Sequence, residues 1–250
     1  MNHVDRTRGF TLVELLLAMS FVSLLLMAIA LTVLKMGDMY TQGLTLKEVN
    51  LAGKSVSDDM SRSIAGATEL SVEDGEASGF REQKVAGKVV GGRLCTGTVT
   101  YVWNFGVELQ AVEAASLANK YAGGDTRVIR LIKVVDPDRT YCGDGVVDIN
   151  PDSSTDLLPE GDLQIAMQSF AIKEVARSAA SQQSMYQIAF EIGTNEQEAL
   201  QSSTDGEAVV GSIPTITTSC KPPSDIESRQ EYCAINKFEF TARVGSRGEL

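Results

Sequence analysis

Residues 6–17 read RTRGFTLVELLL, and residues 15–34 read LLLAMSFVSLLLMAIALTVL. The second stretch is twenty residues without a charge, the length an α-helix needs to cross about 30 Å of hydrocarbon. No proline or glycine interrupts it, and the hydroxyls of Ser20, Ser23 and Thr32 can bond back to helix carbonyls. Arg6 and Arg8 precede the run and Lys35 follows it, with Asp38 just beyond. The two arginines favour a cytoplasmic N terminus, which places the rest of the chain outside. A secretory signal would end in a small-x-small cleavage site, whereas this run ends in VLKMGDMY. A single membrane-spanning helix is therefore expected. Glu14 is its anomaly, because a carboxylate one turn inside an apolar segment is costly without a partner.

Residues 8–14, R-G-F-T-L-V-E, resemble the processing signature of type IV prepilins and of the pseudopilins of type II secretion and competence systems. The resemblance implies that a prepilin peptidase cuts after Gly9, that Phe10 becomes the N-methylated mature terminus, and that Glu14 is the fifth-position assembly glutamate. It also implies the partners: other pilin subunits, an inner-membrane platform protein and, indirectly, an assembly ATPase. The motif covers only about the first 35 residues. The size of the chain and the segment KSVSDDMSRSIAGAT (54–68) look more like the larger minor subunits of the PilW or J-type pseudopilin kind than a major pilin. Cutting at Gly9 creates an α-amine at the membrane interface, and a carboxylate one turn along can meet such an amine from a neighbouring copy. Leaving one member of a buried ion pair without the other costs roughly 3–5 kcal/mol, so Glu14 reads as a register device for helix packing.

Composition narrows the function classes. The chain has 250 residues, a net charge of −11 and a pI near 4.6, so its surface repels nucleic acid and anionic lipid heads and no direct nucleic-acid binding is expected. Its single histidine, His3, lies in the stretch assigned to the leader. Without it the mature chain has no histidine for acid–base catalysis, a nucleophile pair or metal ligation. No convincing pair of carboxylates replaces it, and no enzymatic activity is expected. Nor do GRLCTG (92–97) and the GG pairs form phosphate loops, since no GKS or GKT follows.

Cys95, Cys142, Cys220 and Cys233 include no CxxC spacing, which favours disulfides outside the cytoplasm over a zinc or redox site. Of the three pairings four cysteines allow, Cys95 with Cys142 and Cys220 with Cys233 are preferred as neighbours in sequence. The loop closed by the latter, CKPPSDIESRQEYC, resembles the C-terminal disulfide-bounded loop of many pilins. The acidic stretch VDPDRTYCGDGVVDINPD (135–152) does not fit an EF-hand loop. With Gly145 at loop position 6, Thr140, Cys142 and Pro151 fall where oxygen ligands belong, so the match fails. Asp136, Asp138, Asp144 and Asp148 stay as weak calcium candidates in an otherwise cofactor-free chain.

After Lys35, apolar residues at Met36, Tyr40, Leu44, Val49, Ala52, Val56, Met60 and Ile64 recur at helical spacing. One helix over residues 10–66 is expected, stopped at Gly66, with local loosening at Gly37, Gly43 and Gly53. Residues 71–97 read as a loop or weak hairpin, 106–124 as the place of a short helix, and 193–218 as a long polar loop. Strand-like runs occur at 98–105, 127–135, 163–172, 185–192 and 235–244, with clear alternation in QIAFEI and KFEFTARV. The expected fold class is α+β: a leader at 1–9, a membrane or filament-core helix at 10–34, its amphipathic continuation at 35–66, and an extracytoplasmic domain at 67–250 with an antiparallel sheet on the helix. The expected function is a structural minor pilin in the cytoplasmic membrane and then in an extracellular filament. The alternatives are a pseudopilin of a secretion or DNA-uptake machine, and a tip adhesin.

Overall fold

The structure is a computed structural model that describes residues 11–67, 70, 79–86, 88–111, 117–143, 147–158, 163–178, 183–196, 198–202, 209–210, 218–222 and 229–245. The chain divides into two units, Met1–Thr41 and Gln42–Leu250. Helix α1, Leu12–Ala65, is long and apolar enough at its start to cross a membrane.

In the first unit α1 has no buried face. Leu12, Leu24 and Leu34 are 74%, 68% and 67% exposed, and the other large apolar side chains between them are exposed too. The hydroxyls of Ser20, Ser23 and Thr32 donate to the carbonyls of Leu17, Met19 and Ala28 at 2.9, 2.8 and 2.8 Å. Each polar side chain of the apolar run is thus satisfied inside the helix, as hydrocarbon surroundings demand.

In the second unit one stripe of α1 is buried: Thr45, Val49, Gly53, Val56, Met60 and Ile64. The spacing of four and three residues is that of a single helix face. Met36, Tyr40 and Leu44, expected on that face, are instead 64%, 70% and 43% exposed. Their spacing continues the all-round apolar character of the membrane-length run, and core packing begins only at Thr45. The helix ends at Ala65, one residue before the expected limit, with the Gly66 N–H bonded to the Arg62 carbonyl at 3.1 Å.

The remaining elements are β1 (Phe80–Val85), β2 (Lys88–Cys95), β3 (Val99–Asn104), α2 (Gly106–Ala111), β4 (Asn119–Tyr121), β5 (Leu131–Val135), β6 (Val147–Ile149), β7 (Ser154–Asp156), β8 (Ile165–Ser178), β9 (Gln183–Thr194), β10 (Leu200–Ser202), β11 (Val209–Val210), β12 (Thr218–Cys220) and β13 (Ile235–Gly245). They build two larger sheets where the sequence suggested one. The first, in order β1-β2-β3-β5-β7, is antiparallel throughout; the second, β11-β8-β9-β13, is antiparallel except for the β11–β8 pair. The stretch read as a loop or weak hairpin supplies β1 and β2, and part of the expected polar loop forms β10 paired with β12.

Both sheets and the buried stripe of α1 share one apolar core. Phe80 of β1, Trp103 of β3 and Phe170 of β8 meet at its centre, with ring centroids 4.6–6.2 Å apart. A polar clasp fixes the helix on the first sheet. The Tyr101 hydroxyl donates to an Asp59 carboxylate oxygen at 2.7 Å, and Lys133 Nζ lies 3.0 Å from the same carboxylate. The Gly91-Gly92 pair lies within β2 against Trp103, and a Cβ at Gly92 would stand 2.6 Å from its ring. That packing explains the glycines without a phosphate.

Gly53 does not loosen α1. It is the hollow into which Phe238 of β13 inserts, and a Cβ there would stand 2.0 Å from the ring. Gly53→Ala gains about 1 kcal/mol of helix propensity but overpacks the site at a cost of about 1–3 kcal/mol. The expected outcome is a net loss of about 1 kcal/mol, read from the denaturation midpoint. Because Phe238 is partly exposed its ring can yield, so Phe238→Leu in the Gly53→Ala background should recover most of the loss. Additive effects of the two substitutions would show that the ring does not set the cost.

Candidate functional site

The site indicated by the sequence is the start of α1. Gly9 and Phe10 lie outside the described residues. Thr11 precedes the first helical residue and its side chain and that of Glu14 close on each other. The Thr11 N–H and hydroxyl both donate to Glu14 Oε2, at 3.0 and 2.9 Å, and the Glu14 N–H donates to Thr11 Oγ1 at 3.3 Å. This is a capping box: a threonine and a glutamate three residues on satisfy N–H groups that have no partner within the helix. The Leu15 N–H then donates to the Thr11 carbonyl at 3.1 Å, beginning the regular ladder. Glu14 therefore has a partner within its own chain. The T-x-x-E signature of the box stands in FTLVE and is local in sequence, whereas the charge of Glu14 by itself points only to an outside partner.

Around this terminus the exposed groups are apolar, and the carboxylate is the one acid in the first turn of α1. Such a surface can do two things: dissolve in hydrocarbon, or pack against other apolar helices. Between helices, the carboxylate is free to accept a further donor beyond Thr11, since one oxygen carries both Thr11 bonds.

The cysteines are paired as Cys95–Cys142 and Cys220–Cys233, with Cα–Cα distances of 6.1 and 5.8 Å. The first bond joins the end of β2 to the turn at residues 140–142. A second anchor holds that turn. Arg93 is 1% exposed, and its guanidinium donates to Asn119 Oδ1 and to the carbonyls of Tyr141 and Gly143, at 3.3, 3.3 and 2.7 Å, and to Gln83. The second bond packs with Ala199, Leu200 and Ile235 in a small apolar cluster, while residues 223–228 of its loop lie outside the described residues.

Calcium candidates are not gathered. The buried Asp136 carboxylate accepts from the Thr100 hydroxyl at 2.9 Å and from the N–H groups of Thr140 and Tyr141 at 2.7 and 3.0 Å, so it serves as the clamp of the turn. Asp138 and Asp148 are exposed, the latter 3.7 Å from Lys120, and Asp144 lies outside the described residues. Among the described residues no three metal-ligating side chains come together.

One buried acid escaped the sequence reading. Glu191 of β9 is 1% exposed; burial pushes its carboxyl above the ordinary range, while the Ser169 hydroxyl, donating at 2.9 Å, and the charge of Lys237 oppose the shift. Strand alternation does not flag it, since the mixed run around it reads as one buried and one open face. Its neighbours Ser169 and Lys237 stand opposite it on β8 and β13, tens of residues away in sequence.

No protein-family model matches the chain, and neither a curated protein nor a solved structure matches it.

Proposed function

We propose that this chain is a non-enzymatic structural subunit, a minor pilin of a type IV pilus or a related filament. In this reading a prepilin peptidase cuts after Gly9 and Phe10 becomes the methylated mature terminus. The α1 helix first anchors the protein in the cytoplasmic membrane, N terminus inside and β-rich unit outside. It is later extracted, with a platform protein and an assembly ATPase, into a filament of other pilins. The observation that carries the proposal is the contrast along α1. Residues 12–34 expose every large apolar side chain, whereas from Thr45 one stripe is buried. A surface of that size requires lipid or partner helices, and the R-G-F-T-L-V-E residues beside it match a processing signal that would deliver both in turn.

Mass spectrometry of the protein purified from cells that carry the peptidase should find Phe10 at the N terminus, heavier by one methyl group. An intact Met1, or cleavage after Leu34, would exclude the prepilin reading.

A further inference from the structure

A surface cleft of about 530 Å3 opens in the β-rich unit, far in sequence from the helix start. Its wall is the loop between β4 and β5, which contributes Thr126, Arg127 and Arg130; Leu109 of α2, Gln164 before β8 and Asn195 after β9 complete it. The base is fixed, because the Asn195 N–H donates to the Gln164 carbonyl at 2.6 Å. Asn195 is 8% exposed and lines the cleft from a nearly buried position. The volume falls within the usual range for small-molecule sites, roughly 300–1,000 Å3.

The two cations of the cleft differ. Arg127 is bound by Asp125, with Nη2 2.8 Å from Oδ2 and Nε 3.2 Å from Oδ1, and it lies over the Tyr121 ring. Its charge is compensated locally. Arg130 makes no hydrogen bond or ion pair with another described residue. Among the described residues lining the cleft, Arg130 is thus the one cation without a paired acid, in a chain whose net charge is −11.

We infer that this cleft binds a small hydroxylated monocarboxylate, of the class of the acidic sugars. A guanidinium fork matches a carboxylate with two parallel hydrogen bonds. A single guanidinium with no acid beside it among the described residues suits a monoanion better than a phosphate dianion. The Thr126 hydroxyl and the Gln164 amide offer the mixed donors and acceptors that sugar hydroxyls require, and Leu109 offers an apolar surface to a ring face. This binding is independent of how the chain assembles.

The test titrates the detergent-solubilised full chain, by calorimetry, with D-glucuronate, D-galacturonate and N-acetylneuraminate, and with D-glucose and D-glucose 1-phosphate for comparison. At least one of the three acids should bind, glucose should not, and Arg130→Gln should weaken the acid about tenfold or more. Gln164→Leu should weaken the same acid, while Arg177→Gln, at an exposed arginine paired with Glu174, should leave it unchanged. Failure of all three acids to bind would overturn the inference. So would equal binding to wild type and Arg130→Gln, or tighter binding of glucose or glucose 1-phosphate.

Discussion

Replacing Cys95 and Cys142 together with alanine is expected to lower the unfolding free energy of the β-rich unit by about 4 kcal/mol. The bond spans 47 residues, and the conformational freedom it removes from the unfolded chain grows with the logarithm of that length. The same replacement at Cys220 and Cys233, which span 13 residues, should cost about 3 kcal/mol. The first is expected to lose stability without losing its shape, because its turn has other attachments: the Arg93 guanidinium holds the carbonyls of Tyr141 and Gly143, and Asp136 holds the N–H groups of Thr140 and Tyr141. Urea denaturation of the detergent-solubilised chain should therefore show a lowered midpoint and an unchanged near-ultraviolet spectrum before the transition. A loss below about 1 kcal/mol would mean that the unfolded chain is already confined in this region.

Substitution of Glu14 by glutamine is expected to reduce incorporation into filaments about a hundredfold or more while leaving membrane insertion intact. This rests on the proposed assembly, in which the carboxylate meets the Phe10 α-amine of a neighbouring copy. Glutamine separates the two roles of the residue. It can retain the capping box with Thr11, since either glutamate or glutamine serves at that position, but it carries no charge to pair with an amine. An unpaired amine between helices costs roughly 3–5 kcal/mol, whereas loss of a cap costs about 1 kcal/mol. Glu14→Leu removes both and should be the worse variant by only that smaller amount. Quantifying the protein in sheared filaments against the membrane fraction distinguishes the outcomes. Normal incorporation of Glu14→Gln with poor incorporation of Glu14→Leu would assign the residue to the cap alone.

Much of this protein is local and was open to reading. Twenty uncharged residues announce the apolar helix, and period-two runs such as KFEFTARV announce β13, because one strand face meets a core. Helical spacing also led to Val49, Val56, Met60 and Ile64. It carried the stripe too far, to Met36 and Tyr40, because a membrane-length helix is apolar all round and has no face that periodicity can isolate. Propensity alone predicts local loosening at Gly53, since it describes an isolated helix and contains nothing of Phe238, 185 positions away in the chain.

The sequence by itself determined the apolar helix, the α+β class and the T-x-x-E cap, each of which is written in contiguous runs of the chain. The tertiary structure alone decided the division into two sheets, the Arg93 and Asp136 anchors of the disulfide turn, the buried Glu191 and the arginine cleft. Each of those joins segments tens of residues apart, and which side chains meet there is set by strand order and register, which local pattern does not encode.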